Sequence, residues 1–61
     1  MGEKIRMLRK SKNMTQDKLA ELSGLSRQTV NAIETGNAEN VTTGTLEAIA
    51  KALGVSVKDF F

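Results

Sequence analysis

The stretch TQDKLAELSGLSRQTVNAIE, residues 15–34, consists of two segments with helical spacing that are separated by Ser-Gly-Leu-Ser. Thr15 and Ser26 each stand at the start of a segment, where a hydroxyl oxygen can accept a hydrogen bond from a free N–H group of the first turn. Gly24 lies between the segments and can adopt the positive φ that commonly ends a helix. The stretch therefore predicts two short helices joined by a tight turn.

The apolar residues of this stretch are spaced so that the two helices can pack against each other. Ala20 lies at the predicted crossing point, where a larger side chain would hold the helices apart. The expected inward-facing residues are Leu19, Ala20 and Leu22 in the first helix and Val30 and Ile33 in the second. Two helices that meet across a turn of about three residues form a helix-turn-helix arrangement.

The rest of the chain also has helical spacing, and no strand-like alternation persists. One helix is predicted before this pair, over residues 3–12. A fourth helix begins near Thr42 or Thr43 and ends at Gly54, and Ser56 caps a short fifth helix. The expected inward-facing residues of the outer helices are Ile5, Leu8, Leu46, Ile49, Ala50 and Leu53. We therefore expect an all-α fold of five helices.

Length and composition exclude several kinds of function. With 61 residues, the chain is expected to form one domain, residues 1–61, of marginal stability. Because it has neither cysteine nor histidine, it lacks disulfides, the usual general base and the commonest zinc ligands. No apolar run approaches the ~20 residues of a membrane span. We expect a cytoplasmic protein that is not an enzyme and binds no metal, cofactor, membrane or small molecule.

Charge is unevenly distributed along the chain, although its net value is only +2. Residues 1–18 hold six of the nine basic residues but only two of the seven acidic ones. Such asymmetry is typical of a protein with a polyanionic partner on one side. An ordinary solvated helix face is the alternative explanation for the charge pattern alone.

The start of the second helix of the pair is polar and carries hydrogen-bonding side chains of the kind that read DNA bases. Arginine pairs with guanine O6 and N7, glutamine and asparagine pair with adenine, and the threonine methyl can contact a thymine methyl. The residues concerned are Ser26, Arg27, Gln28, Thr29 and Asn31. They predict a surface that contacts DNA, whereas in an isolated helix they could be ordinary exposed residues.

Together, these features resemble the lambda repressor/Cro-like family of helix-turn-helix transcriptional regulators. The resemblance covers IRMLRKSKNMTQDKLAELSGLSRQTVNAIETG and TLEAIAKALGVSVKDFF, about 55 of the 61 residues. The matching motif positions are Gln16, Ala20, Gly24, Val30 and Ile33. This resemblance implies a five-helix lambda-repressor-like domain, bacterial or phage in origin, that binds operator DNA as a homodimer and represses transcription by blocking access. In that family the second helix of the motif enters the major groove.

Carrying the family's contacts over by matching position gives two sets of residues. The expected base contacts are Arg27, Gln28, Asn31 and Ala32. The expected phosphate contacts are Gln16, Ser26, Thr29, Arg9, Lys10, Lys12 and Asn37, with backbone N–H groups assisting at the start of the motif's first helix.

The loop after the motif departs from the family's pattern. It reads NAENVTTG, residues 37–44, and contains neither the basic residues nor the proline that the family often has there. Phosphate contacts from this loop would have to come from Asn37, Asn40, Thr42, Thr43 or backbone N–H groups. We therefore expect affinity for DNA to depend more on the first helix.

The two phenylalanines are the only aromatic residues of the chain. Neighbouring residues on a helix point about 100° apart, so we expect one phenylalanine to fill the core and the other to join a twofold dimer contact. The residues assigned to the dimer interface are Val55, Val57, Phe60 and Phe61. An exposed phenylalanine without a role is the alternative.

A function of another class uses the same fold. Helix-turn-helix domains also serve as protein-interaction adaptors or as antitoxins, which would favour an apolar exposed stripe on the second helix of the motif. The sequence RQT, residues 27–29, with Asn31 beyond it, is polar instead, and this favours DNA.

Overall fold

The computed structural model describes all residues 1–61 and contains four α-helices, a 3₁₀ turn and no β-strand. The helices are α1 (Gly2–Ser11), α2 (Gln16–Ser23), α3 (Arg27–Thr35) and α4 (Thr43–Leu53), and the 3₁₀ turn comprises Val57–Phe60. The all-helical prediction is confirmed, but the predicted fifth helix is this single turn. No helix in the structure combines the length and apolar character needed to cross a bilayer.

The helix starts follow the predicted capping pattern. The hydroxyl oxygen of Thr15 accepts a hydrogen bond of 3.0 Å from the N–H of Lys18, and that of Ser26 accepts one of 3.0 Å from the N–H of Thr29. Gly24, with φ of 74°, ends α2 in the left-handed region. These local signals fix both ends of α2, the start of α3 and the tight turn between them.

The core consists of ten buried apolar side chains from all four helices and the 3₁₀ turn. They are Ile5, Leu19, Ala20, Val30, Ile33, Leu46, Ile49, Ala50, Leu53 and Phe60. The predicted core is therefore largely confirmed. Leu8 is only half-buried at its edge, and the inward prediction for Leu22 is wrong because half of this residue (50%) is exposed.

The burial of Phe60 contradicts the assignment of this residue to a dimer interface. It is fully buried within the single chain, at 0% exposure, because the 3₁₀ turn folds it against α1 and α4. The expectation that one phenylalanine fills the core is thus confirmed. Phe61, 69% exposed, is the one on the surface.

Backbones approach closely where α1 meets the end of α3. A Cβ atom built on Gly2 would overlap the carbonyl oxygen of Ile33 and lie 2.8 Å from that of Glu34. Only glycine fits here without displacing a backbone, because both neighbours are main-chain atoms. At this contact α1 packs against α3, while α2 packs against both α3 and α4, and the folded chain measures 26 × 23 × 18 Å.

Candidate nucleic-acid interface

The first turn of α3 projects from a rigid corner. Val30 and Ile33 are buried against the rest of the core, and Ala20 is buried on α2. Arg27 and Gln28, by contrast, are exposed. The inner side of α3 thus fixes its position, and the polar side of its first turn is free to meet another molecule.

Four polar side chains line an open depression between the starts of α2 and α3. The depression has a volume of about 250 Å³ and is bordered by Gln16, Arg27, Gln28 and Asn31. Three of these are predicted base contacts and the fourth is a predicted phosphate contact. The structure therefore brings together residues from both helices of the motif in one polar surface.

Arg27 and Gln28 are weakly engaged within the protein. The Nε atom of Arg27 lies 3.8 Å from the Asp17 carboxylate, and both side chains are more than two-thirds exposed. An exposed ion pair at this distance contributes at most about 1 kcal/mol. The guanidinium can therefore leave Asp17 for a stronger acceptor at little cost.

Gln16 and Asn31 are joined across the depression. The side-chain amide nitrogen of Gln16 donates hydrogen bonds of 3.1 Å to Asn31 Oδ1 and 3.1 Å to Glu34 Oε1. Both donors of Gln16 are thus engaged inside the protein. A phosphate contact at this position would fall to the main-chain N–H groups that are free at the start of α2.

A buried ion pair lies directly behind Gln16. Arg9 donates to Glu34 through Nε at 2.6 Å and Nη2 at 3.0 Å, and its Nη1 donates to the Met14 carbonyl at 2.6 Å. The side chains of Arg9 and Glu34 are 8% and 1% exposed. The predicted phosphate contact from Arg9 is therefore wrong, because its guanidinium is committed to the interior.

The other residues around α3 that are predicted to contact DNA differ in whether their side chains are already buried or hydrogen-bonded within the protein. The Ser26 hydroxyl donates to Thr29 Oγ1 at 2.9 Å while accepting from the Thr29 N–H. The side-chain nitrogen of Asn37 donates to Thr35 Oγ1 at 3.2 Å, and Ala32 is half-buried. Of this group, the Thr29 hydroxyl keeps its own hydrogen for an outside acceptor.

Comparison with known proteins agrees with this geometry. The sequence model of the helix-turn-helix family matches residues 5–60. The chain belongs to the lambda repressor/Cro-like helix-turn-helix family. It is accordingly a DNA-binding transcriptional regulator.

Three individual proteins illustrate the similarity to this helix-turn-helix family. Control protein C.BamHI of Bacillus amyloliquefaciens is 48% identical over 59 residues, which are 95% of this chain and 72% of that protein. The restriction-modification controller C.AhdI from Aeromonas hydrophila superposes with a TM-score of 0.93 at 37% identity, covering 98% of this chain and 89% of the other. SinR, a master regulator for biofilm formation solved in complex with DNA, gives 0.91 at 30% identity over 100% of both chains.

The three basic residues predicted to contact phosphates, Arg9, Lys10 and Lys12, divide into two groups in this helix-turn-helix regulator. Arg9 is buried, whereas Lys10 and Lys12 are exposed at the end of the helix and just beyond it. Neither lysine side chain is held in an ion pair. Both can therefore approach phosphates without first leaving a partner.

The remaining residues assigned to the dimer interface lie around the 3₁₀ turn. Val55 and Val57 are half-buried against the core, and Phe61 is exposed. Lys4 Nζ donates a 2.6 Å hydrogen bond to the Phe61 carbonyl. Beside this contact, α1 and the 3₁₀ turn border a groove of about 350 Å³ whose lining residues are Lys4, Met7, Leu8, Ser11 and Asp59.

Sequence reasoning missed Glu34, although a signal for it exists. Glu34 follows Val30 by four residues and therefore lies on the inward face of α3. A charged residue at such a position requires a partner, because an unpaired buried charge is very costly. Arg9, one of six basic residues in residues 1–18, could not be singled out as that partner from spacing alone.

Proposed function

We propose that this regulator represses transcription by binding an operator as a homodimer, with α3 of each copy in the major groove. The proposed base contacts are Arg27, Gln28, Asn31 and the half-buried Ala32. The observation that carries this proposal is the depression that Arg27, Gln28 and Asn31 border, since it combines exposed donors with a buried scaffold. SinR, 30% identical over the whole chain, was solved in complex with DNA, which supports the same partner here.

Phosphate contacts would fix the orientation of α3 without reading sequence. Lys10 and Lys12 supply the cations, and Thr29 and Asn37 supply neutral donors. The free N–H groups at the start of α2 lie at the positive end of the helix dipole, where they can donate hydrogen bonds to a phosphate. Because few cations take part, binding is expected to weaken steadily but moderately as salt increases.

Two copies would contact each other through the surface around Val55, Val57 and Phe61. A twofold arrangement then presents two α3 helices to half-sites about one DNA turn, ~34 Å, apart. Occupying such a site blocks polymerase or a competing protein sterically, which requires no further activity of the chain. Repression is therefore the simplest outcome of binding.

Selection of binding sites from random DNA, at one stated salt concentration, tests this proposal. The expected result is a set of inverted half-sites with centres 10–10.5 base pairs apart. Analytical ultracentrifugation of the selected complex should then give two protein chains per duplex. Recovery of unrelated sequences would contradict operator recognition, and one chain per duplex would contradict the dimer.

A further inference from the structure

Beyond the contacts described above, one continuous chain of hydrogen bonds leads from the interior to the DNA-facing surface. Arg9 holds Glu34 through two hydrogen bonds, Glu34 accepts from Gln16, and Gln16 donates in turn to Asn31. The series begins at the Arg9 side chain, 8% exposed, continues through Glu34, 1% exposed, and ends at Asn31, which is exposed. It therefore offers a route by which a buried group can set the orientation of a surface group.

The chemistry of each member fixes the direction of these hydrogen bonds. A carboxylate only accepts, so the part of Gln16 that faces Glu34 must be its NH₂ group. The second hydrogen of that nitrogen faces Asn31, which must therefore present its oxygen. The Nδ2 amide of Asn31, which makes no hydrogen bond within the protein, is left to carry two donors toward an outside partner.

This orientation bears on which base Asn31 can pair with. The usual asparagine–adenine pair needs the asparagine oxygen to accept from adenine N6 while its nitrogen donates to N7. In this protein the oxygen already accepts from Gln16. Guanine offers the acceptors N7 and O6 and no major-groove donor, so it matches the two free donors of Asn31, whereas adenine N6 would have to share the asparagine oxygen with Gln16.

We propose that Gln16 is a positioning residue that holds Asn31 with its donors outward, so that Asn31 selects guanine over adenine. The inference rests on the proposed function, because it assumes that α3 lies in the major groove. Arg9 and Glu34 anchor Gln16, and the anchor cannot reorient, since both side chains are buried and doubly hydrogen-bonded to each other. Gln16 thus contributes to sequence preference without touching a base.

A double-mutant experiment tests the proposal. Binding to the selected operator and to its single-base variants is measured for the wild type and for Asn31→Ala, and the base pair at which Asn31→Ala loses preference is the one that Asn31 reads. Gln16→Met, which keeps length but has no donor, should reduce the guanine preference at that base pair by about fivefold or more. In the Asn31→Ala background, Gln16→Met should leave all preferences unchanged.

Glu21→Gln is the matched control, because Glu21 is an exposed residue of α2 whose only side-chain partner is Lys18. Its base preferences should equal those of the wild type. Uniform weakening by Gln16→Met at every sequence, in both backgrounds, would overturn the proposal in favour of a phosphate contact. A wild-type protein with no base preference at all would instead refute the proposed function, so the two failures are distinguishable.

A second variant reverses the direction of the hydrogen bond between residue 16 and Asn31. Gln16→Glu places an acceptor opposite Asn31, which should turn Nδ2 inward and Oδ1 outward. Preference at the same base pair should then move toward adenine or cytosine, whose exocyclic amino groups are donors. Unchanged guanine preference in folded Gln16→Glu protein would overturn the proposal; if repulsion from Glu34 prevents folding, Gln16→Met decides alone.

A measurement on the free protein is independent of DNA. Hydrogen exchange of the Gln16 side-chain amide should be slower than that of Gln28, which is exposed and makes no side-chain hydrogen bond within the protein. Equal exchange rates for the two glutamines would show that Gln16 is not held, and would overturn the proposal.

Discussion

Arg9 and Glu34, 25 residues apart in sequence, form a bidentate ion pair that is almost completely buried. A third hydrogen bond, from Arg9 to the Met14 carbonyl, attaches the chain segment just before α2. The pair therefore connects α1, the start of the helix-turn-helix motif and the end of α3. Removing one partner would leave the other charged and unpaired in the interior, which is among the most destabilising changes a small protein can suffer.

Glu34→Ala is expected to lower the free energy of unfolding by about 3–5 kcal/mol, because it leaves the Arg9 guanidinium buried without its carboxylate. Urea denaturation followed by circular dichroism measures this change. Glu21→Ala is the control, since it breaks an exposed pair with Lys18 and should cost less than about 1 kcal/mol. The double substitution Arg9→Met with Glu34→Leu should restore most of the loss, and equal losses for Glu34→Ala and Glu21→Ala would contradict the prediction.

Gly2→Ala is expected to destabilise the protein by about 1–3 kcal/mol, because the added methyl group would overlap the backbone of α3. Gly44→Ala on α4 is the matched control. Its methyl group would meet only Thr42 Oγ1, at 3.9 Å, so the better helix propensity of alanine should stabilise the protein by about 0.5–1 kcal/mol. Opposite shifts in Tm for the two variants are the expected result, and a stabilising Gly2→Ala would refute the close approach.

Arg27→Ala and Gln28→Ala are each expected to cost about 1–3 kcal/mol in binding and to relax preference at one base position. Competition binding against operators with single substitutions measures both effects. Lys51→Ala, which removes an exposed charge from α4, should change neither. If both α3 variants kept the operator preference of the wild type, the assignment of α3 as the helix that contacts the bases would be contradicted.

Lys10→Ala and Lys12→Ala are expected to weaken binding to all sequences alike, since phosphate contacts carry no sequence information. Each lost phosphate contact should reduce the slope of log K against log salt concentration by about 0.9. Titrations at several salt concentrations, with Lys51→Ala as the charge-matched control, give these slopes. A change confined to one operator variant would indicate a base contact instead.

Phe61→Ser is expected to weaken dimerisation without unfolding the protomer, because Phe61 is exposed. Phe60→Ala should instead cost about 3–5 kcal/mol of stability, because Phe60 fills the core. Analytical ultracentrifugation at micromolar concentration separates the first effect from the second, which a thermal melt reports. If wild-type protein and Phe61→Ser sediment identically, Phe61 has no part in the contact.

Much of the fold could be predicted because its signals are local. The caps Thr15 and Ser26 and the terminating Gly24 each act within a few residues, so the boundaries of α2 were predictable to within a residue. Asn13, just after α1, has a φ of 55°, a left-handed conformation that asparagine adopts more readily than most residues.

The errors concern relations between distant residues. Whether Arg9 faces solvent or Glu34 depends on how α1 packs against α3, which no spacing within α1 reveals. Which phenylalanine is buried depends on the 3₁₀ geometry of residues 57–60, since an α-helical turn would orient Phe60 and Phe61 differently. Leu22 has the spacing of a core residue but lies where no neighbouring helix covers it.

The length of α3 limits how much sequence one copy can distinguish. Its nine residues span ~13.5 Å, the rise of about four base pairs of DNA. A given sequence of four base pairs occurs by chance about once in 256 positions. This is far too often to specify one binding site among the 10⁶–10⁹ competing positions of a genome. If two copies must bind adjacent half-sites, the chance frequency of the complete site is the square of the frequency of one half-site. Binding as a pair therefore increases sequence specificity as well as affinity.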